Sequence, residues 1–139
     1  MKIILQIIVV AVIIASCQSA PKHSDPAGCY RMIIKNDTAI MSLNTQGDSV
    51  SGSLSYNWYE RDDNNGTFQG IIKNDSLIVA DYTFQSEGMT SVRQVAFKIK
   101  DSMLLQGYGE LQERNDTSFF RDVNLVIFDT KNPFRKGCQ

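Results

Sequence analysis

The sequence predicts an all-β fold, a single antiparallel up-and-down β-barrel of about eight strands, and two observations predict it. From Gly28 onwards, short runs of alternating apolar and polar residues are separated by Asn, Asp, Gly and Ser, which is typical of strands joined by tight turns. No part of this region has the apolar spacing of a long amphipathic helix. A two-sheet β-sandwich is the alternative architecture, because it would bury the same alternating faces.

The clearest predicted strand is "SVSGSLSYNW", residues 49–58. Val50, Leu54 and Tyr56 fall on one face and serines on the other, so one face is packed and the other is solvated. The connections between the runs are short, so consecutive strands are expected to pair as antiparallel hairpins. The same alternation predicts seven further strands, near residues 29–35, 38–44, 66–73, 76–84, 90–99, 102–110 and 118–128.

Strands that each have one apolar face can close into a barrel, which removes the exposed edges that favour aggregation. Closure requires the first strand to pair with the last. Cys29 opens the first predicted strand and Cys138 follows the last one. An even pair of cysteines in an exported chain favours a disulfide over a metal site, so we expect a Cys29–Cys138 disulfide.

The N-terminal segment predicts export. Residues 1–16, "MKIILQIIVVAVIIAS", have one lysine before an apolar run and small residues before Cys17, which is the layout of a signal peptide. "IASC" resembles a bacterial lipobox, and this resemblance implies that Cys17 becomes the lipidated N-terminus, carrying acyl chains such as palmitate. Residues 17–27 are polar and predict a flexible tether, and residues 28–139 form the barrel domain. We expect a lipid-anchored envelope protein, in the outer membrane and facing the periplasm.

A repeated stretch marks the turns. "IIKND" occurs at residues 33–37 and again at 71–75, and "KIKDS" at 98–102 is similar. Asn and Asp accept the backbone angles of tight turns, so we interpret the repeats as recurrent hairpins and not as a duplicated binding motif. Four Asp-Ser/Thr-apolar tripeptides resemble the O-glycosylation motif of exported Bacteroidota proteins, although turn chemistry explains them equally well. That resemblance implies sugars on Thr38, Ser49, Ser76 and Ser102.

Alternating strand directions place polar and aromatic residues at the end of the barrel opposite the tether. Arg93 and Arg121 are in phase with apolar residues of their strands, so both are predicted to face inwards, where a charge requires a partner. A small-ligand site is one interpretation, and ion pairs of these arginines with Glu110 or Glu87 are the other. The candidate ligand-binding residues at this mouth are Tyr56, Trp58, Tyr82, Glu87, Arg93, Tyr108, Glu110 and Arg121.

Several functions are disfavoured by composition. The net charge of −1 gives no basic surface for nucleic acid. The only histidine, His23, lies in the tether, and the cysteines are expected to be acylated or paired, so no nucleophile and base are expected together. Residues 62–66, "DDNNG", are similar to the start of a calcium loop, but the twelfth position is Lys73 where glutamate is required. We therefore expect a protein that is not an enzyme and has no metal or cofactor.

The mature chain from Gly28 to Cys138 resembles a family of small uncharacterised Bacteroidota lipoproteins with a lipocalin-like barrel, through "SGSLSYNWYERDDNNGTFQG", "DYTFQSEGMTSVRQVAFK" and "GYGE". "GCY" in the first strand is similar to the lipocalin G-x-W motif. This likeness implies that an arginine packs near Tyr30, with Arg135 in that role because Arg121 would lie at the opposite end of the barrel.

"SGSLSY" at residues 51–56 is similar to a motif of periplasmic lysozyme inhibitors, whose second motif, containing a lysine, is absent here. We expect a binding module for a small or amphipathic ligand at the barrel mouth, anchored to the membrane by its lipid. The alternative is an inhibitor or a module that binds an envelope protein. A deep pocket at the mouth would favour the ligand, and a filled interior with residues 51–56 in a projecting loop would favour protein inhibition.

Overall fold

The structure is a computed structural model that describes residues 25–139. The predicted signal peptide, Cys17, His23 and most of the tether lie outside the described residues. No helix in the described part is long and apolar enough to cross a membrane. Residues 25–139 form eleven strands: β1 Gly28–Ile34, β2 Asp37–Gln46, β3 Ser49–Asn57, β4 Asn64–Lys73, β5 Leu77–Ser86, β6 Met89–Lys100, β7 Met103–Tyr108, β8 Leu111–Arg114, β9 Thr117–Phe120, β10 Ile127–Phe128 and β11 Phe134–Lys136.

The predicted eight-stranded antiparallel barrel is confirmed. It consists of β1 to β7 in sequence order and of β11, which lies between β7 and β1. Tyr30 of β1 is opposite Lys136 of β11, and Phe134 of β11 is opposite Leu104 of β7. The sheet therefore closes on itself, and all the pairings within the ring are antiparallel.

The predicted disulfide is also confirmed. Cys29 at the start of β1 is bonded to Cys138 just after β11, with the two Cα atoms 5.7 Å apart. We call this end of the barrel, which also has the turns at 47–48, 74–76 and 101–102, the near end. The opposite end, which has the 58–63 loop and the turn at 87–88, is the far end. The described part of the tether lies at the near end, where the Thr45 hydroxyl donates to Asp25 Oδ1 at 2.7 Å.

Side chains fill the barrel. Successive residues of each strand alternate between the two faces, and the inward set in β3 is Val50, Leu54 and Tyr56, as predicted. Gly52 is also inward, and a Cβ there would collide with the Ser42 carbonyl oxygen and the Phe68 ring. The largest fully buried side chains are Tyr30, Tyr56, Tyr82, Phe68, Phe97, Phe134, Met32, Met41, Leu43, Leu54, Ile78 and Leu104.

The repeated sequence stretches are turns, as interpreted from the sequence. Lys35 has a positive φ of 55° in the turn between β1 and β2. Asn74 and Asp75 also have positive φ angles in the turn between β4 and β5, and so does Asp101 in the turn between β6 and β7. The first of these turns is at the far end and the other two are at the near end, so the copies do not form a common surface.

The predicted eighth strand at residues 118–128 is wrong. This stretch forms β9, a 3-10 turn at Val123–Leu125 and β10. The Asp122 carboxylate caps that turn by accepting a hydrogen bond from the Asn124 N–H at 2.8 Å, which ends the extended conformation. Leu125 and Ile127 are 74% and 76% exposed and do not line the interior. The last strand of the barrel is the three-residue β11, after a second turn centred on the carboxylate of Asp129.

Residues 109–126 make an excursion over the outside of the barrel. Phe120 and Val126 pack on Ala96, on the outer face of β6. β6 and β7 are paired only from Phe97 opposite Gln106 towards the near end. Farther along, β6 pairs in parallel with β9 instead, so a slit opens between β6 and β7 at the far end.

Candidate functional site

Two aromatic stacks close the far end of the barrel. In one, the Tyr56 and Trp58 rings are parallel with centroids 5.1 Å apart, and the Arg61 guanidinium lies 5.0 Å from the Trp58 centroid. In the other, Tyr82 stacks on Phe84 at 4.9 Å, and Arg93 lies 5.6 Å from the Phe84 centroid. The stacks contact each other through Tyr56 and Tyr82, whose rings meet edge to face at 6.3 Å. This packing prevents a long apolar chain from entering the barrel axis.

Tyr82 has a complete set of partners. Its hydroxyl donates to the Leu54 carbonyl oxygen at 2.8 Å and lies 3.3 Å from the Asn64 carbonyl oxygen. Burial raises the pKa of Tyr82 to about 12, and the nearby charge of Arg93 opposes this shift. Tyr82 is therefore a neutral donor that holds β5 to the β3–β4 pair.

Tyr56 and Gln106 lie close together and lack partners. Both side chains are buried, and neither the Tyr56 hydroxyl nor Gln106 Oε1 has a hydrogen-bond partner. The Gln106 amide is near enough to lower the pKa of Tyr56, but Gln106 Oε1 and the Tyr56 hydroxyl are not aligned as a hydrogen bond. Burial dominates and raises the pKa of Tyr56, which keeps the phenol protonated at neutral pH.

A cavity of about 110 Å³ lies at the base of the slit between β6 and β7. Its polar side has Arg93, Gln106 and Tyr108, and its apolar side has Val95 and Phe120 among others. This volume corresponds to about three or four water-sized groups. The complete lining is Arg93, Gln94, Val95, Gln106, Gly107, Tyr108, Gly109, Leu111 and Phe120.

Arg93 is the cation of this cavity. It is opposite Tyr82 in the register, so it faces inwards as predicted, and it is half-buried. No carboxylate of residues 25–139 lies within 4.0 Å of its guanidinium. Its charge lowers the pKa of Tyr56, Tyr82 and Tyr108, while burial raises the pKa of all three by more. The Arg93 charge is therefore close enough to affect all three phenols, of which Tyr108 lines the cavity.

Arg121 and Glu110 are outside the barrel, and the predicted inward position of Arg121 is wrong. Arg121 Nη1 and Glu110 Oε1 are 3.0 Å apart, and both side chains are largely exposed. The peptide groups of the same residues also pair, because the Arg121 N–H donates to the Glu110 carbonyl oxygen at 2.9 Å. For Arg121, the structure bears out the alternative interpretation of a structural ion pair.

Glu87 and Trp58 lie at a second concavity on the far end. Glu87 is in the turn between β5 and β6, with a φ of 53°. The concavity is wide and open, with a volume of about 700 Å³, and its lining does not include Glu110. Glu87 and Glu110, the two candidate partners of the arginines, thus belong to different surfaces. The lining residues are Trp58, Glu60, Arg61, Asp62, Asn64, Ser86 and Glu87.

Two resemblances made predictions about geometry that the structure does not follow. Lys136, and not Arg135, lies over the Tyr30 ring, with its Nζ 5.8 Å from the centroid. Arg135 Nη1 instead donates to the Met103 sulfur on the outer face. Residues 51–56, which are similar to the inhibitor motif, lie within β3 between β2 and β4 and not in a projecting loop. Neither a deep pocket nor a projecting motif is found in residues 25–139, since the interior is filled and the far end has only the small cavity and the wide, open concavity.

The proposed glycosylation positions are at hairpins. Ser49 and Ser102 are exposed, and Thr38 and Ser76 are half-buried. Thr38 is at the far end, and the other three are at the near end. Sugars at these residues remain a prediction.

Gln106 is the site residue that sequence reasoning missed. It is buried within β7, in phase with Leu104. A single amide among apolar inward positions was the available signal, because buried amides are normally paired.

Within residues 25–139 no three His, Cys, Asp or Glu side chains are grouped so that they could hold a metal ion. Comparisons with protein-family models, with curated proteins and with solved structures gave no match.

Proposed function

We propose that this domain binds a small polar molecule in the cavity between β6 and β7 at the far end of the barrel. One observation carries the proposal: two buried polar atoms, the Tyr56 hydroxyl and Gln106 Oε1, have no partner, and Gln106 lines the cavity. An unpaired buried donor or acceptor costs about 1–3 kcal/mol. A fold that retains two of them side by side beside a cavity is expected to use them for a ligand.

The filled interior favours a small ligand over an amphipathic one. The two aromatic stacks occupy the barrel axis at the far end, and the cavity of about 110 Å³ is well below the usual ~300–1,000 Å³ of drug-sized ligand sites. The amphipathic ligand that the sequence also suggested would require the stacks to move. A small polar guest needs only the space that is already present.

The proposed cellular setting follows from the N-terminal sequence. We propose an envelope lipoprotein anchored through Cys17, similar to the small Bacteroidota lipoproteins that the sequence resembles, in the outer membrane and facing the periplasm. The bond between Thr45 and Asp25 supports an arrangement in which the tether leaves from the near end. The cavity would then face away from the membrane, towards molecules in the surrounding fluid. Binding, and not catalysis, is the activity that we assign to it.

Native mass spectrometry of the full chain, purified in a non-ionic detergent from the cells that make it, tests the proposal. We expect an additional small mass in the wild type that is absent from Gln106→Met, in which the amide is replaced by an apolar side chain of similar size. Gln112→Met on β8 is the matched control, because Gln112 is exposed and is not one of the residues that line the cavity. A bare protein mass in the wild type, or an equal loss in both variants, would contradict the proposal.

A second candidate function is the binding of an envelope protein, such as inhibition of an enzyme. Three exposed apolar side chains support this function: Tyr108, Leu125 and Ile127 are 51%, 74% and 76% exposed. Tyr108 and Ile127 are opposite each other in the register. Exposed apolar side chains in a group are typical of protein-binding surfaces. Photo-crosslinking from position 125 in whole cells tests this function: a specific adduct lost in Ile127→Ser would support it, and its absence would remove it.

A further inference from the structure

The charge of the cavity indicates the class of molecule that it binds. Arg93 is half-buried, faces inwards and has no carboxylate partner among residues 25–139. A partly desolvated guanidinium without an anion is unfavourable. By contrast, Arg121 at the same end is exposed and is paired with Glu110. Of these two arginines, Arg121 is therefore paired with a carboxylate, whereas Arg93 at the cavity is not.

The neighbours of Arg93 are suited to an anion. The Arg93 guanidinium lies over the Phe84 ring. Its charge is also close enough to lower the pKa of the phenols of Tyr56, Tyr82 and Tyr108. All three phenols are neutral at physiological pH, so the unpaired Tyr56 hydroxyl is available to donate to a carboxylate oxygen. Arginine forms two parallel hydrogen bonds with a carboxylate, which is one of the strong pairings open to it, and the small cavity favours a compact anion of this kind.

A second polar group and a short chain are also expected in the ligand. Gln106 has an unpaired Oε1 and lines the cavity, and rotation about its last torsion can present either the oxygen or the amide nitrogen. The opposite wall is apolar, formed by Val95, Leu111 and Phe120. The volume of about 110 Å³ leaves no room for an extended alkyl chain.

We infer that the cavity binds a short-chain carboxylate with a hydroxyl or amino group next to the carboxylate, that Arg93 and the Tyr56 hydroxyl bind the carboxylate, and that Gln106 binds the second polar group. This inference rests on the proposed function and specifies its ligand. Small hydroxy acids and small amino acids share this chemistry. They differ in the second polar group, which the test separates.

Four probes test the inference by calorimetric titration of the full chain in non-ionic detergent. L-Lactate and L-alanine have the carboxylate and the second polar group, propionate lacks the second group, and lactamide lacks the charge. We expect lactate or alanine to bind at least about tenfold more tightly than propionate, which leaves the buried Gln106 without a partner, and than lactamide, which loses the charge-assisted pair with Arg93. Whichever of lactate and alanine binds more tightly identifies the hydroxyl or the amino class.

Two variants test whether Arg93 is the residue that pairs with the carboxylate of the ligand. Arg93→Gln is expected to remove the difference between lactate and lactamide, whereas Arg121→Gln, which alters a cation at the same end but outside the cavity, should preserve it. Lactamide that binds the wild type as tightly as lactate does would overturn the inference, and so would an unchanged preference in Arg93→Gln.

The failure of this inference can be separated from the failure of the proposed function. A co-purified ligand that is retained by Arg93→Gln but lost from Gln106→Met would show that the cavity binds an uncharged molecule. In that case the carboxylate is wrong and the site is right. A bare mass together with no heat from any of the four probes would reject both.

Discussion

The two ends of the barrel are built differently. At the near end, β1 lies beside β11, the Cys29–Cys138 disulfide joins them, and the turns are two or three residues long. At the far end, β6 separates from β7, and unpaired polar atoms of Tyr56 and Gln106 are buried beside a cavity. The near end has the disulfide that joins the first and last strands, whereas the far end retains two buried polar atoms without partners. Such a difference is expected where a binding site is kept at some cost in stability.

Alkaline pH is expected to have the largest effect, because it charges tyrosines that are buried at both ends. Burial raises the pKa of Tyr30 at the near end and of Tyr82 at the far end to about 12, from the ordinary tyrosine value of 10.0. A folded state with the higher pKa holds the proton more tightly, so this contribution to stability is complete below pH 10 and is lost between pH 10 and 12. We expect cooperative unfolding in that range by circular dichroism.

Tyrosine variants would show whether the buried Tyr82 phenol at the far end contributes to this transition. In Tyr82→Phe the free energy of unfolding should fall less steeply between pH 10 and 12, whereas Tyr59→Phe, at a residue that is 60% exposed, should match the wild type. Equal slopes in all three proteins would mean that the Tyr82 phenol does not contribute to the transition.

The second-largest effect on stability is expected from removal of a core side chain from β11, the last strand. Phe134 is fully buried and meets Phe97 edge to face with centroids 5.7 Å apart. Phe134→Ala is expected to lower the free energy of unfolding by about 4 kcal/mol, since it leaves a cavity at the point of closure. Phe119→Ala on β9, outside the ring, is the matched control and should cost far less in urea denaturation. Similar losses would show that the excursion is as important for stability as the barrel.

Loss of the disulfide is expected to lower the free energy of unfolding slightly less than Phe134→Ala does. Cys29→Ser combined with Cys138→Ser releases a loop whose ends are 109 residues apart in sequence. Typical stabilisation by a disulfide is about 2–4 kcal/mol, largely through the unfolded state. We expect a loss of about 3 kcal/mol in guanidinium unfolding, and the same loss after reduction of the wild type. A loss below about 1 kcal/mol would weaken the contrast between the two ends.

Removal of an unpaired polar group at the far end is expected to stabilise the protein. Gln106→Met should raise the free energy of unfolding by about 1 kcal/mol, because the buried Oε1 no longer needs a partner. The near end should respond in the opposite way: the Tyr30 hydroxyl donates to the Pro26 carbonyl oxygen, so Tyr30→Phe should lose about 1 kcal/mol. If both changes destabilise the protein to the same degree, Gln106 has a structural partner and the comparison fails.

The smallest effect is expected at the surface ion pair of the far end. Arg121→Ala removes a contact between two exposed side chains, and such pairs contribute about 0–1 kcal/mol. We expect a change below about 0.5 kcal/mol, and no change at all in about 1 M salt. A loss above about 2 kcal/mol would indicate that this pair holds the excursion to the barrel.

Alternation of residues predicted the barrel well where strands are long. Seven of the predicted strands correspond to β1 to β7 with their inward faces, because one face of each is packed against the core. The eighth was misplaced because residues 119–127 also alternate, with Arg121, Val123, Leu125 and Ile127 in phase. Two Asp-centred turns at Asp122 and Asp129 interrupt this stretch. The actual last strand is too short to show any period, and only Cys138 indicated where it lies.

The site was predicted in part. Strand direction alone brought Tyr56, Trp58, Tyr82 and Arg93 to one end, which is where the structure places them. The slit between β6 and β7 could not be predicted, because it depends on β9 taking the place of β7 beside β6. The role of Gln106 depends on that slit, and so it became visible only in three dimensions.

The pairing of β1 with β11 also determines the order in which the chain can fold. These strands are at opposite ends of the domain, and contacts between residues so distant in sequence form slowly. During synthesis the N-terminal strand emerges first, and it remains without its second neighbour until the final residues, from Phe134 to Cys138, are released. Until then the edges of β1 and β7 are open to pairing with other chains. Truncation of the last six residues should therefore yield a soluble chain only when a chaperone or a supplied peptide covers those edges.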